Sequence, residues 1–243
     1  LDSEMSSNLA GETGAVSIYR GAIAALSLRQ RIKRMLEPVL TSQNNDTTTM
    51  PETTALEFCY EHYKTEESHR QFFHDVLPPH SKRTRLLPLW RLAGYTLGFV
   101  PTLVGGPTVL YVTVESVETF VETHFQEQIV PLQQASAMVT TSSPSSTNLP
   151  TPSLPPCPEL LKLLEACCED EVHHKHDAAS KLLYYNGGTG GSDITTAGSD
   201  KNNNATETSL ANTFPSHHLW WARPWSRIVQ MGSSIAADIA RKI

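Results

Sequence analysis

Apolar side chains recur every three to four residues in five stretches of this chain, a period that predicts amphipathic helices. The five stretches are residues 11–36, 55–77, 108–130, 159–185 and 224–242. Helix stops are predicted at the proline pair 78–79, at Pro131 and at the Asn-Gly-Gly run 186–188, because proline lacks a backbone donor and glycine favours the conformation that ends a helix. The pattern predicts an all-α chain with four helices of bundle length and an additional carboxy-terminal helix.

Three polar stretches interrupt this pattern, at residues 41–54, 134–157 and 186–218. They are rich in Ser, Thr, Asn, Gly and Pro, and such stretches cannot bury enough apolar surface to offset the entropy of ordering. We interpret them as low-complexity inserts between helices. The remaining residues have the size of one compact domain, so we expect residues 1–243 to form a single domain.

The least polar part of the chain is the segment 86–114, in which residues 92–114 carry no charge. The uncharged run is long enough to cross a bilayer. Glycines and prolines from Gly94 to Pro107 divide it into two shorter pieces, however, and four basic residues cluster between 82 and 91. This combination favours a segment that lies in the membrane interface, with the basic cluster near anionic headgroups. A buried core helix followed by a turn is the second interpretation, and a transmembrane span is the third.

Charge and cysteine content exclude two broad classes. The 19 Lys and Arg residues against 25 Asp and Glu give a net charge of −6, which is unfavourable for general nucleic-acid binding. The four cysteines, Cys59, Cys157, Cys167 and Cys168, include no CxxC pair. A secreted, disulfide-stapled domain is therefore not expected, and a reducing compartment fits better. The chain begins at Leu1 without a basic, Ser-rich presequence before its first motif, and we draw no conclusion about compartment from this.

Each of the four bundle helices carries a glutamate within its apolar stripe. These are Glu12, Glu66 with His69, Glu118, and Glu171 with His174, in the order of the helices. Burying four carboxylates in one core costs several kcal/mol for each unpaired charge, unless cations neutralise them. No Lys or Arg lies on these faces, so two divalent metal ions are the predicted counter-charges.

The spacing supports this interpretation. Residues three apart lie on the same face of a helix, so the carboxylate and the imidazole of a Glu-x-x-His pair can bind one ion. A lone Glu alternates with a Glu-x-x-His pair along the four helices, as in the di-iron or di-manganese carboxylate proteins built on ferritin-like bundles. Glu115 and Glu122 are alternatives to Glu118 if the register differs. A bundle whose glutamates are solvated remains the competing interpretation.

Five motifs carry most of these residues: AGETGA (10–15), EESH (66–69), LLPLWRLAGYTLG (86–98), VETFVETHFQEQI (117–129) and DEVHHKHDA (170–178). Together they resemble the demethoxyubiquinone hydroxylase family of ubiquinone biosynthesis. The resemblance implies a ferritin-like bundle and places the six iron ligands of the family on Glu12, Glu66, His69, Glu118, Glu171 and His174, which would also make these residues the catalytic ones. No GxGxxG motif follows a predicted strand, so a separate dinucleotide domain is not expected.

The resemblance also implies an activity and a location. A family member uses two iron ions, O2 and electrons from NADH to hydroxylate the free ring carbon of a demethoxy-quinone. The polyprenyl tail of this substrate would lie in lipid near the segment 86–114. The protein would be peripheral on the matrix face of the mitochondrial inner membrane, where it would meet a lipid-binding partner of the biosynthetic complex, and homo-oligomers are compatible with this arrangement.

Two departures from the family pattern keep other functions open. Ser6-Ser7-Asn8-Leu9 stands where family members usually have Arg-x-Asp-His, and Phe125 follows His124 where they commonly have Tyr. We expect His124 and Phe125 to lie near the substrate, so a missing phenol bears on electron transfer or quinone binding. The alternatives are a non-catalytic metal- or lipid-binding scaffold on the same fold and a di-iron quinol oxidase.

Overall fold

The computed structural model describes residues 2–40, 52–76, 86–141, 158–185 and 219–242, and the regular structure in these ranges is helical throughout. The helices are α1 (Asp2–Leu40), α2 (Glu52–Val76), α3 (Leu87–Thr141), α4 (Pro158–Tyr185) and α5 (Ala222–Lys242). The predicted all-α class is confirmed. Each predicted helix is present, and α1 and α3 are longer than the hydrophobic pattern indicated.

Most of the three predicted inserts lies outside the described residues, namely 41–51, 142–157 and all of 186–218. Their remaining ends, 52–54 and 134–141, are helical and belong to α2 and α3. The predicted stops at 78–79 and 186–188 and most of the basic cluster at 82–91 also fall outside the description. The single-domain organisation with three inserts therefore stays a prediction.

Helix α3 consists of two parts that meet at Gly106, the residue whose φ of 67° and ψ of −158° are not helical. We call the parts α3a (residues 87–105) and α3b (residues 107–141). Helices α1, α2, α3b and α4 form the predicted ferritin-like four-helix bundle, while α3a and α5 pack against it through α1 and α3b. The largest core cluster contains Tyr19, Phe58, Tyr111 and Leu182, one side chain from each bundle helix.

An arginine of α1 stabilises the bend in α3. Pro107 has no backbone N–H, so the carbonyl of Leu103, four residues earlier, loses its helical partner. The Nη1 atom of Arg29 donates a hydrogen bond of 2.8 Å to this carbonyl oxygen. The side chain therefore satisfies a backbone group that would otherwise be unpaired, and it ties the bend to α1.

Glycines bring α3a into backbone contact with α1. A Cβ atom at Gly94 would lie 2.3 Å from the carbonyl oxygen of Gly14, and one at Gly98 would lie 1.9 Å from that of Ile18. Only glycine fits such an approach, as in the small-residue contacts between membrane helices. The segment is divided into two pieces as predicted: the break is at Gly106, and Gly94, Gly98 and Pro101 lie within the first piece.

The outer face of α3a is apolar and exposed, with Leu92 and Val104 as its most exposed side chains. The interval Leu87–Ala137 is long and apolar enough to cross a membrane by composition, and half of its most apolar window is buried within the protein. A helix packed on one face and open on the other agrees with an interfacial segment better than with a fully buried one. The membrane contact itself stays a prediction.

The prediction that the third bundle helix ends at Pro131 is wrong, because α3b continues to Thr141. Proline removes one hydrogen bond to the carbonyl four residues earlier, which here belongs to Glu127. Both residues are exposed, so water can satisfy this carbonyl and the helix continues at moderate cost.

Candidate metal centre

The six predicted ligands come from all four bundle helices and converge in the interior. Glu12 belongs to α1, Glu118 to α3b, and the two Glu-x-x-His pairs, Glu66 with His69 and Glu171 with His174, belong to α2 and α4. None of the six residues is more than 6% exposed. The three-residue spacing turns both members of each pair to the same side of their helix, and the bundle places that side inward.

The ligand atoms form two overlapping groups. One contains Glu12, Glu66, His69 and Glu171, and the other contains Glu66, Glu118, Glu171 and His174. Within each group, one nitrogen or oxygen atom from every residue lies within 4.8 Å of the others. Glu66 and Glu171 belong to both groups, so the arrangement has room for two ions bridged by two shared carboxylates.

Several carboxylate oxygens in this cluster lack any hydrogen bond within the described parts of the chain. They include Glu12 Oε2, Glu118 Oε2 and Glu66 Oε2, whereas Glu66 Oε1 lies 2.9 Å from His174 Nδ1. Buried oxygens without donors are costly, since burial removes their water and supplies nothing in exchange. Bound cations would satisfy these atoms, and carboxylate with imidazole is a donor set that suits iron and manganese. The residues present therefore fit a dinuclear metal centre.

The alternative ligands take other positions. Glu122 pairs with Lys175 of α4 instead of joining the cluster, and Glu115 is buried but belongs to neither group of ligand atoms. His173 and His176, on either side of His174 and Lys175, are exposed. Geometry thus favours Glu118 among the three glutamates of α3b.

Crowding of charge shifts the pKa values in the cluster. Burial and the charges of Glu66 and Glu171 raise the pKa of Glu12, and burial with the same two charges raises that of Glu118. Burial lowers the pKa of His174, but its contacts with Glu171 and Glu66 outweigh this effect and raise it to about 9. The cluster therefore favours bound protons where metal ions would otherwise supply the positive charge, and metal binding must displace them.

Two acid–imidazole contacts next to the cluster escaped the sequence analysis. The Nε2 atom of His69 lies 3.1 Å from Asp170 Oδ2. The Nε2 atom of His62, a buried residue one turn before Glu66, lies 3.0 Å from Asp177 Oδ2. His62 and Asp177 could have been suspected, since they are one helical turn from a predicted ligand. Which carboxylate meets which imidazole depends on the relative rotation of α2 and α4, which no spacing along one helix reveals.

A cavity of about 400 Å³ reaches the glutamates from the side of α1, α3 and α5. Its lining includes the ligands Glu12, Glu66, Glu118 and Glu171, and most of its other walls are apolar or aromatic side chains of the three helices. Added Cβ atoms at Gly11, Gly14 and Gly232, which also line it, would meet no atom within 4 Å. This volume is typical of small-molecule sites.

The predicted substrate residues His124 and Phe125 both line the cavity. Arg241 of α5 donates through Nη2 to His124 Nδ1 at 3.0 Å, and His124 Nε2 lies 3.0 Å from Asn8 Oδ1. Because guanidinium can only donate, Nδ1 must accept and the proton of the neutral ring must be on Nε2. Asn8, one of the residues that replace Arg-x-Asp-His, therefore orients His124. Phe125 is buried and stacks with Phe73 at 6.1 Å between ring centroids.

Known proteins show similarity to much of this chain. The family profile described as "Ubiquinone biosynthesis protein COQ7" matches residues 39–184. This range contains five of the six candidate ligands, while Glu12 precedes it. The mitochondrial NADPH-dependent 3-demethoxyubiquinone 3-hydroxylase of Dictyostelium discoideum is 30% identical over 129 residues, which cover 52% of this chain and 47% of the relative. The chain thus spans about half the length of the curated relative that it matches.

Proposed function

This chain belongs to the COQ7 family of ubiquinone biosynthesis proteins, and from that premise we propose that it is a di-iron monooxygenase that hydroxylates the ring of a demethoxy-quinone. In such a reaction one atom of O2 enters the product as a hydroxyl group and the other leaves as water, which requires two electrons. The observation that carries the proposal is the convergence of four carboxylates and two imidazoles at the inner end of a mostly apolar cavity.

In this proposal two ions are bound by the two overlapping groups, with Glu66 and Glu171 as shared ligands. Iron bound there would supply the oxygen-activating redox chemistry that the side chains themselves lack. The protein supplies the cavity around the metal centre. The apolar walls limit access of water, and the glycine-lined space admits a flat ring beside the carboxylates. His124, held as a neutral imidazole by Arg241 and Asn8, presents a fixed polar group in the cavity wall.

The electrons come from a nicotinamide in this proposal. The family resemblance implies NADH, whereas the name of the Dictyostelium relative specifies NADPH. The described residues form only helices of the bundle and its two attached segments, so in this proposal electrons enter at the bundle. Assays with each nicotinamide alone decide between the two donors.

The proposed cellular location rests on the relative and on the exposed surface of the protein. The relative is a mitochondrial protein by name, and the exposed apolar faces of α3a and α5 are suited to a lipid surface. We place the chain peripherally on the inner membrane, with the polyprenyl tail in lipid and the quinone ring in the cavity. A lipid-binding partner of the biosynthetic complex would meet the same side of the molecule.

The test combines iron analysis with a product assay. Purified protein loaded with Fe(II) should retain about two ions per chain, as a dinuclear carboxylate centre requires, and should convert a demethoxy-quinone to its hydroxylated product with a nicotinamide and O2. Glu66→Ala should lower turnover by more than the roughly 10–100-fold typical of residues outside the ligand set. Glu61→Ala, an exposed glutamate of the same helix, is the matched control and should remain active.

Other outcomes would contradict the proposal in distinguishable ways. Phe125 lacks the phenol expected from the family, so electron delivery is the step most open to change. Oxygen uptake without a hydroxylated product would indicate a quinol oxidase. Two bound ions without either activity would indicate a metal-binding scaffold, and full turnover of Glu66→Ala would refute the assignment of the site.

A further inference from the structure

His69 is the candidate ligand with a carboxylate at each ring nitrogen. Its Nδ1 atom lies 3.1 Å from Glu171 Oε1, inside the ligand cluster, and its Nε2 atom lies 3.1 Å from Asp170 Oδ2, outside it. The imidazole is 8% exposed, whereas the Asp170 side chain is 52% exposed. Asp170 therefore reaches the buried ring from the surface of α4 without itself being buried.

This contact has a defined consequence for metal binding. A neutral imidazole has one nitrogen that donates and one that accepts or binds a metal. A carboxylate acceptor at Nε2 keeps the proton on that nitrogen, leaves Nδ1 as the metal-binding atom and makes it more basic. Contacts of this kind change metal affinity by about 10–100-fold in metalloproteins.

The imidazole of the second group has a different neighbour. The ring of His174 packs edge-on against the ring of His62, with centroids 4.3 Å apart. The carboxylate on this side, Asp177, bonds to His62 and so acts on His174 only through a second ring. The two halves of the centre are thus supported unequally, directly by an exposed carboxylate at His69 and indirectly at His174.

We propose that Asp170 is a positioning residue that makes the metal position formed by Glu12, Glu66, His69 and Glu171 the tighter of two unequal positions. The inference rests on the dinuclear centre of the proposed function but not on its reaction. It concerns the order in which the ions bind, and no feature of the sequence motifs indicates it.

Anaerobic titration of the full-length apoprotein with Co2+, followed by equilibrium dialysis and visible absorption, tests the proposal. Wild-type protein should bind two equivalents with separable affinities. Asp170→Ala should weaken the tighter equivalent by about 10–100-fold and shift its Co2+ bands, while the weaker equivalent is unchanged. Asp170→Asn keeps a hydrogen-bond acceptor without the charge. Its affinity for the tighter equivalent should lie between those of wild type and Asp170→Ala. Glu169→Ala, an exposed neighbour on α4, should titrate like wild type.

A double-mutant cycle identifies the route of the effect. If Asp170 acts through His69, the change Asp170→Ala should alter the remaining affinity by less than about twofold in a His69→Ala background, since the interaction is already absent. An equal loss in both backgrounds would show a general electrostatic effect and overturn the proposal. Thermal unfolding of the apoproteins should give the same midpoint for wild type and Asp170→Ala, whereas a lower midpoint with unchanged affinity would show a merely structural role.

Failure of the inference and failure of the proposed function have different signatures. Wild-type protein that binds two equivalents, with Asp170→Ala indistinguishable from it, would overturn the role of Asp170 and leave the centre intact. Wild-type protein that binds no Co2+ would overturn the metal centre and with it both proposals.

Discussion

Glu66 is completely buried; its Oε2 has no hydrogen-bond partner in the described ranges, and its Oε1 faces His174 Nδ1 at 2.9 Å. An ionised carboxylate in that position destabilises the fold by several kcal/mol unless a positive charge is adjacent. A ligand that binds the folded state alone stabilises it in proportion to the logarithm of its concentration. At the scale of this residue, the buried carboxylate that lowers the stability of the apoprotein is also the proposed ligand of both metal positions, so bound metal should stabilise the fold.

His124 provides a prediction about pH that is independent of the metal ligands. Burial lowers the pKa of His124, and the charge of Arg241 lowers it further against the opposing charges of Glu4, Glu127 and Asp238. The unfolded chain therefore takes up a proton near the reference pKa of about 6.5, before the folded chain does. Stability should fall as the pH drops below about 6.5, by at most about 1.4 kcal/mol per pH unit for this group.

Urea unfolding of the apoprotein between pH 5 and 8 measures this effect. His124→Gln cannot be protonated, so the difference in unfolding free energy between this variant and wild type should shrink as the pH is lowered through the titration. Parallel stability curves for the two proteins across the range would contradict the assignment of a depressed pKa to His124.

Residue types and helical spacing were sufficient to predict the six candidate ligands, because a charged side chain in an apolar stripe is anomalous within a single helix. The same reasoning could not find Asp170, since an exposed aspartate next to a ligand looks like ordinary surface. Its contact with His69 depends on how α4 is rotated against α2. That rotation is set by packing across the whole bundle.

At the scale of elements, the bend between α3a and α3b depends on one conformation and one side chain. Gly106 has a backbone conformation that residues with a Cβ rarely adopt, and a Cβ there would lie 3.0 Å from Arg29 Nη2. Gly106→Ala should therefore lower the free energy of unfolding by about 1–3 kcal/mol through backbone strain. Chemical denaturation of the apoprotein measures the change.

Gly232 of α5 is the matched control for this prediction. It lies within a helix, and a Cβ at this position would meet no atom within 4 Å. Gly232→Ala should be neutral or stabilising by up to about 1 kcal/mol, because alanine has the higher helix propensity. Equal stability of the two alanine variants would show that the bend does not require glycine.

The helix boundaries show where proline and glycine alone do not predict the end of a helix. Pro131 predicted a helix end, yet the helix continues because the freed carbonyl of Glu127 faces water. The run from Gly94 to Pro107 predicted one division of the apolar segment, and the structure places it at Gly106, while Gly94 and Gly98 lie within α3a where a Cβ would collide with the backbone of α1. In each case the proline or glycine is visible in the sequence, but the tertiary surroundings determine whether it ends a helix or lies within one.

At the scale of the whole molecule, two exposed apolar faces border the cavity. Leu92 of α3a is 64% exposed and Met231 of α5 is 61% exposed. Helix α5 is strongly amphipathic. Contiguous apolar surface on a water-soluble fold marks an interaction site. If this surface meets a membrane as proposed, the basic side chain of Arg227 on α5 would add attraction to anionic headgroups.

Vesicles of phosphatidylcholine and cardiolipin test this surface. The double variant Leu92→Ser/Met231→Ser should lower the bound fraction in flotation assays at least about tenfold, because each side chain contributes about 1.5–3 kcal/mol when fully buried in lipid. Leu183→Ser, which removes an equally exposed apolar group of α4, should bind like wild type. Unchanged binding of the double variant would exclude α3a and α5 as the lipid-facing surface.

The four-helix bundle could be predicted from periodicity, and the motifs identified its family before any geometry was available. The cavity could not be predicted from periodicity, because its walls come from α1, α3 and α5 together. The pairing of Arg241 with His124 was equally hidden, since 117 positions separate the two residues.

Every candidate ligand belongs to α1, α2, α3b or α4, whereas α3a and α5 contribute cavity wall and, through Arg241, the hydrogen bond that orients His124. The proposed ligands and the cavity wall formed by α3a and α5 thus lie on different helical segments. For the proposed hydroxylase, substitutions on α3a and α5 should therefore change which molecules enter the cavity and leave the ligand set in place.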